Sequence, residues 1–167
     1  MKKLFFLTAI LLSIVSIAGN GQTPGKLVSS KTQIKFFSST PAEDIQAAKA
    51  DYTLTGSQIV AEYLAGKEDA NKKYLSGDGN SKILEVTGII NKISDDFNGQ
   101  KVVLLKETGD KAGVSASFTA ETSHNAEDLQ IGSTVTIKGV IRSGASYDDD
   151  LELYENVILE KSDIVKK

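Results

Sequence analysis

The sequence predicts a mainly β fold with some α-helix: a five-stranded OB-type Greek-key barrel, preceded by an N-terminal helix and a cleaved signal peptide. Three observations lead to this prediction. Five apolar segments separated by Gly, Asn, Asp and Ser follow residue 82, an amphipathic helical segment precedes them, and the chain opens on a targeting pattern. The predicted parts are a signal peptide (1–18), a flexible leader (19–26), a short strand and helix extension (27–54), a helix that packs on the barrel (55–81) and the OB-fold domain (82–162).

The first eighteen residues have the pattern of a secretory signal peptide. Lys2 and Lys3 precede an apolar run, and the small residues Ser16 and Ala18 stand before Gly19. The run is shorter than the roughly 20 residues that cross a bilayer, so we expect no stable membrane anchor. A lipid anchor on cysteine is not expected either, because the chain has no cysteine. We therefore expect an exported protein of the periplasm or cell envelope.

Charge and cysteine content exclude several functions. The formal net charge is −3, which disfavours binding to the phosphates of nucleic acid. The absence of cysteine excludes disulfides, thiolate metal sites and cysteine nucleophiles. We find no catalytic constellation and expect no enzyme activity, cofactor or metal.

The segment before the barrel predicts a strand and then helices. Leu27–Ser39 has a strand-like composition, and Pro41 with the two following acids is typical of a helix start. Thr55 and Gln58 have the spacing of a capping box, and the helix they begin is predicted to reach Leu75, with Gly66 as its weak point. One helical face carries the residues expected to dock on the barrel, namely Ile59, Tyr63, Ala70 and Tyr74.

The first barrel strand is predicted to bend. Leu84 and Val86 share one parity, whereas Ile89 and Ile93 lie on the other, so we expect a bulge or bend at Gly88. The later elements are predicted at Lys101–Glu107, at Val114–Thr119, as a helical turn within Asn125–Leu129, at Thr134–Ile141 and at Leu151–Leu159.

Several of these segments together resemble the tRNA_anti-like group of bacterial OB-fold proteins. The resemblance lies in AEYLAGKEDANKKYL, ILEVTGIINKI, VVLL, IGSTVTIKGVI and LELYENVIL, and it extends over residues 55–160. It implies the OB fold, and its motifs specify little chemistry. A shorter segment, residues 30–52, is similar to YceI-like proteins, which are exported lipocalin-like barrels, but the chain has no room there for the other strands of such a barrel.

Two acidic loops are the candidate ligand-binding site. In an OB barrel, the loops after the first and fourth strands flank the exposed face of strands two and three. The residues that we expect to border this groove are Asp95, Asp96, Phe97, Tyr147, Asp148, Asp149 and Asp150. Such a rim would recognise a cation or a basic peptide, with aromatic contacts from the two rings. The alternative interpretation is that aspartate simply favours turns.

Two further patterns are open to other interpretations. Asp148, Asp150 and Glu152 could offer oxygen ligands to calcium, although their spacing lacks the full acidic-loop pattern. His124, the sole histidine, has no evident catalytic partner and reads as part of a polar loop. We therefore expect a non-enzymatic binding module for a protein, glycan or small molecule. The alternatives are a structural or assembly protein of the envelope and a single-stranded nucleic-acid binder.

Overall fold

The computed structural model describes residues 42–77 and 81–166. The signal peptide, the leader and the strand predicted at 27–39 lie outside the described residues. In chain order the elements are α1 (Ala42–Ala47), β1 (Tyr52–Thr55), α2 (Gly56–Ala65), α3 (Lys67–Tyr74), β2 (Ile83–Asp95), β3 (Lys101–Leu105), β4 (Val114–Phe118), a 3₁₀ helix (Ser123–Ala126), β5 (Thr134–Ser143), β6 (Ser146–Asp148), β7 (Leu153–Glu155) and β8 (Val157–Ile164).

Five strands close into the predicted OB-type barrel. Their order is β2, β3, β4, β8 and β5, and β5 pairs back onto β2. The β4–β8 pairing is parallel, and the other barrel pairings are antiparallel. The 3₁₀ helix stands between the third and fourth barrel strands, close to the predicted helical turn. The fold class predicted from the sequence is confirmed.

The first barrel strand bends as expected, but the extra residue lies further along than Gly88. Residues 83–89 of β2 pair with β5, and residues 90–95 pair with β3. The register shifts between Ile90 and Lys92, so Asn91 is the inserted residue, and Ile89, which we expected inside, is 38% exposed. Gly88 has a different role: a Cβ there would lie 3.1 Å from Leu105 Cβ, so the missing side chain lets β3 approach closely.

The last barrel strand is β8, and the prediction of a strand from Leu151 to Leu159 is wrong in its first half. Leu151 and Leu153 are exposed, because residues 153–155 pair with β6 in a separate hairpin. Asn156 marks the change, since its Oδ1 accepts a hydrogen bond of 2.8 Å from Gly113 N and so fixes the start of β8. Alternating apolar residues could not distinguish this hairpin from the barrel.

The helix predicted from Thr55 to Leu75 is two helices. The capping box forms: Thr55 Oγ1 accepts a hydrogen bond from Gln58 N, and Gln58 Oε1 accepts one from Thr55 N. Gly66 has an extended backbone that ends α2 and precedes α3. Residues 52–55, for which no strand was predicted, form β1, which pairs in parallel with the half of β2 that β3 leaves free.

Side chains from the barrel and both long helices share one core. Tyr63 and Tyr74 dock against the barrel as predicted and are 2% and 0% exposed. Helix α1 also docks on the barrel through Ile45, and the Lys138 ammonium donates hydrogen bonds to the carbonyls of Gln46 and Ala48. Each large apolar side chain buried in this way stabilises the fold by about 1.5–3 kcal/mol.

Candidate functional site

The outer face of β3 and β4, where an OB barrel usually binds its ligand, carries aliphatic and hydroxyl side chains, and the exposed Lys92 of β2 lies beside it, in register with Leu104. Val102 and Leu104 alternate with buried residues along β3, and Ser115 and Ser117 do so along β4. The register pairs Val102 with Ser117 and Leu104 with Ser115. These two strands present no aromatic ring and no cation at the centre of this face.

The loop between β2 and β3 holds the first three predicted site residues. Asp95 forms an ion pair of 2.7 Å with Lys101, and this contact raises the pKa of that lysine. Asp96 Oδ1 accepts hydrogen bonds of 2.8 Å from the backbone N–H groups of Asn98 and Gln100. Phe97 is fully exposed at the tip. The two carboxylates therefore shape the turn, as aspartate commonly does.

The connection between β5 and β8 holds the other four. Tyr147 lies on β6, and Asp148 Oδ1 accepts hydrogen bonds from the backbone N–H groups of Asp150 and Leu151. Asp149 and Asp150 are exposed in the turn between β6 and β7. Asp148, like Asp96, thus stabilises a turn.

Strand register places the two acidic loops at opposite ends of the β3–β4 pair. Asp95 pairs with Lys101 at the start of β3, whereas Leu105 at its end pairs with Val114, which in turn pairs with Val157 at the start of β8. Four steps of about 3.3 Å separate these ends by about 13 Å. The predicted residues therefore form two groups, and their role in binding stays a prediction.

The described residues contain no group of three or more His, Asp or Glu side chains that could hold a metal ion. The three residues considered for calcium lie along the turn of the β6–β7 hairpin, where Glu152 has a φ of 52°. His124 lies exposed on the 3₁₀ helix.

A cleft of about 450 Å³ lies between the corner of α2 and α3 and the β6–β7 hairpin. This volume is within the range of small-ligand sites. We call it the helix–hairpin cleft, and its lining residues are Tyr63, Leu64, Ala65, Gly66, Lys67, Lys111, Ala145, Ser146, Tyr147 and Tyr154.

The hairpin supplies the aromatic wall of the cleft. Tyr147 and Tyr154 lie directly opposite each other in the β6–β7 register, and their ring centroids are 4.8 Å apart. Tyr147 is 47% exposed, so much of its ring is open to a ligand. Gly144 leads into this hairpin under the ring of Tyr63, where a Cβ would lie 1.8 Å from Tyr63 Cε1. The small residue lets the helix and hairpin meet.

Two lysines supply the charge of the cleft. Lys67 is the first residue of α3, directly after the break at Gly66. Lys111 lies in the β3–β4 loop, which is tied to α2 by a hydrogen bond of 2.8 Å from Ser57 Oγ to Asp110 Oδ2. Its Nζ is 5.3 Å from the centroid of the Tyr154 ring, a cation–π contact.

A tyrosine cluster supports the helix side of the cleft. Tyr74 donates a hydrogen bond of 2.8 Å to Glu62 Oε2, which also accepts one from the Lys73 ammonium. The Lys73 contact lowers the pKa of Glu62. The Tyr63 hydroxyl is buried without a hydrogen-bond partner among the described residues, and burial raises the pKa of Tyr63 to about 12.

Comparison with known proteins assigns the fold to a family. The model of the tRNA_anti-like family matches residues 1–152. The chain belongs to the tRNA_anti-like family. This assignment confirms the resemblance seen in the sequence, and no curated protein matches the chain.

Among solved structures, this tRNA_anti-like protein is similar to a Klebsiella pneumoniae protein described as a "putative nucleic acid-binding lipoprotein". The TM-score is 0.50 at 18% identity, and the match covers 74% of this chain and 97% of the Klebsiella chain. At this identity the likeness shows a shared fold. No helix among residues 42–77 and 81–166 has the length and hydrophobicity to cross a membrane.

Sequence reasoning singled out Tyr147 but missed the other polar residues of the cleft in this tRNA_anti-like chain. Lys67, Lys111 and Tyr154 come from three segments that are distant in sequence. Gly66 was recognised as a weak point of the helix, and that was the one available signal that a corner could form there. The sequence placed Tyr147 in a loop and Tyr154 in the predicted last barrel strand, so their pairing in a hairpin was not expected.

Proposed function

We propose that the chain is a non-catalytic binding module that takes a small ligand into the helix–hairpin cleft. The observation that carries this proposal is the cleft itself: about 450 Å³, with two tyrosine rings in tilted contact on one wall and two lysines in its lining. The hairpin belongs to the connection between the fourth and fifth barrel strands, which OB folds commonly use for ligands.

We also propose that the protein works outside the cytoplasm. The support is the pattern of residues 1–18, which has the charges, the apolar run and the small residues of a secretory signal. Expression of the full chain in a bacterial host tests this proposal, by determining the N-terminal residue of the product and the cell fraction that contains it. Cleavage near Gly19 and recovery from the periplasm are expected, and an uncleaved cytoplasmic product would contradict the proposal.

Binding of single-stranded nucleic acid is the second candidate, and the name given to the Klebsiella structure favours it. Single-strand binders combine a basic groove with rings on which bases stack. Here the face of β3 and β4 carries Val102, Leu104, Ser115 and Ser117 instead. Tight, salt-sensitive binding of oligonucleotides would support this candidate, and its absence at low salt would exclude it.

A screen with a ¹⁵N-labelled mature chain tests the first candidate. The library contains sugars, sugar phosphates, nucleosides, amino acids and aromatic acids, and amide shifts locate each binder. We expect binders to move the amides of residues 64–67, 145–147 and 154. Binders that move only residues 102–104 and 115–117 would place the site on the barrel face and contradict the proposal, as would a library without any binder.

A further inference from the structure

The residues that line the helix–hairpin cleft include two cations and no anion, although the net charge of the chain is −3. The Glu155 carboxylate lies at the hairpin wall, where it accepts a hydrogen bond from Ser146 Oγ. Both cations there, Lys67 and Lys111, have no ion-pair partner in the part of the chain that the structure describes. By contrast, Lys72, Lys73, Lys82 and Lys101 each pair with a carboxylate. The cleft thus offers two cations that no carboxylate of the described residues neutralises.

The start of α3 adds to the preference for an anion. Its N-cap is Gly66, which has no side chain to accept the first backbone N–H groups. These groups and the helix dipole favour negative charge at this end. Glu68 and Asp69 in the first turn offset part of that effect, and Asp69 is already paired with Lys72 at 3.0 Å. The lysines therefore carry most of the attraction.

The opposite wall favours a ring. Tyr147 presents nearly half of its surface, and its contact with Tyr154 holds it in place at a centroid distance of 4.8 Å. Ring stacking on such a surface contributes beyond the burial of area alone. The Lys111 ammonium lies against the same pair, 5.3 Å from the Tyr154 centroid, so a charge and a ring face adjoin each other.

Combining these features, we infer that the cleft recognises a small molecule in which a flat ring bears an anionic group, either a phosphate or a carboxylate. The ring stacks on Tyr147, and the anion lies between the ammonium groups of Lys67 and Lys111. This inference rests on the proposed function, because it names the ligand class of the same cleft. It concerns a different site from the acidic loops, for which a cation or basic peptide stays the prediction.

Isothermal titration with four probes tests the two halves of the ligand separately. Phenyl phosphate and benzoate carry both a ring and an anion, inorganic phosphate carries only the anion, and phenol carries only the ring. We expect phenyl phosphate to bind at least about tenfold more tightly than phosphate or phenol, and its affinity to fall as salt is raised. Comparison of phenyl phosphate with benzoate shows which anion is preferred.

Single-residue variants show which side chains of the cleft contact the ligand. Lys67→Gln and Lys111→Gln should each weaken phenyl phosphate binding by about tenfold, and Tyr147→Ala by about fivefold. Lys49→Gln is the matched control, because Lys49 is exposed and does not line the cleft. Lys67→Gln removes no interaction that the described residues show within the fold, so a loss of affinity in this variant reports on binding and not on unfolding. This holds even if Tyr147→Ala disturbs the hairpin.

The outcomes separate this inference from the proposed function. If phenol binds as tightly as phenyl phosphate and shifts the amides of the cleft, the inference of an anionic ligand is wrong, whereas the proposal of a binding module still holds. Equal loss of affinity in Lys49→Gln and Lys67→Gln would also overturn it. If neither these probes nor any library compound moves a cleft amide, the proposed function itself fails.

Discussion

Replacing Tyr63 by Phe should make the protein more stable. The Tyr63 side chain is 2% exposed, and its hydroxyl has no hydrogen-bond partner among the described residues. A buried hydroxyl without a partner costs about 1–3 kcal/mol, because the group loses water and gains nothing in exchange. Tyr63→Phe removes the hydroxyl and keeps the ring that packs on Gly144. We expect the free energy of unfolding to rise by about 1 kcal/mol and the Tm by about 3 °C.

Tyr74→Phe is the matched control with the opposite sign. The two rings are 6.0 Å apart and equally buried, but the Tyr74 hydroxyl donates a hydrogen bond of 2.8 Å to Glu62. Loss of this bond to a charged acceptor should lower the free energy of unfolding by about 1–2 kcal/mol. Urea titrations at pH 7 on both variants and the natural chain give the two differences.

Alkaline pH should widen the advantage of Tyr63→Phe. Burial, followed by the neighbouring Tyr74 and Glu62, raises the pKa of Tyr63 to about 12 from 10.0. Because the pKa of Tyr63 is higher in the folded than in the unfolded chain, the folded state of the natural protein keeps its full stability below about pH 10 and loses part of it as the pH rises through about 12. The Phe variant lacks that loss. A Tyr63→Phe chain less stable than the natural one at pH 7, or one with an unchanged difference at pH 11, would refute the assignment of an unpartnered hydroxyl.

Three further predictions concern the supports of the cleft and of α1. Gly144→Ala should lower the free energy of unfolding by about 3 kcal/mol, because its Cβ would lie 1.8 Å from the Tyr63 ring. Gly66→Ala is the control, since a Cβ there meets nothing within 4 Å, and it should change the free energy of unfolding by less than about 0.5 kcal/mol. Equal urea midpoints for the two variants would contradict this prediction. The hydrogen bond from Lys73 lowers the pKa of Glu62 from its ordinary 4.5, so its stabilisation is present above about pH 4.5 and is lost as pH falls. Glu62→Gln should therefore lower the free energy of unfolding by less than about 1 kcal/mol at pH 7, because the pair is partly exposed, and should not lower it at pH 3. A difference that persists at pH 3 would count against the ion pair. Lys138→Met removes the ammonium group that donates hydrogen bonds to the carbonyls of Gln46 and Ala48. Hydrogen exchange of the backbone amides of residues 45–50 should be at least about tenfold faster in this variant than in the control Lys49→Met. Unchanged exchange would show that α1 docks without the Lys138 hydrogen bonds.

The barrel could be predicted from the sequence because its strands alternate in the way that a half-buried sheet requires. Val114, Ala116 and Phe118 face the core, as their parity indicated. The position of the bulge could not be predicted as well. Either Gly88 or Asn91 can accommodate an extra residue, and the choice depends on the pairing of β2 with β3 and β5, which is a tertiary property.

The cleft could be predicted only in part. Tyr147 stood out as an aromatic residue in a loop, but its partner Tyr154 lay within a run that also fits a barrel strand. Leu151 and Leu153 continue the parity of Val157, and only Asn156, whose side chain is hydrogen-bonded to Gly113 N, separates the hairpin from β8. Lys67 and Lys111 lie beside the hairpin because of contacts between distant segments: Tyr63 packs on Gly144, about eighty residues further along the chain, and Ser57 is hydrogen-bonded to Asp110. No local pattern reports such contacts.

The location of the ligand is measured most directly by intermolecular nuclear Overhauser effects between phenyl phosphate and the isotope-labelled mature chain. The account predicts contacts from the ring protons of the ligand to the ring protons of Tyr147. Contacts to the methyl groups of Val102 and Leu104 instead would place the ligand on the outer barrel face and contradict the account.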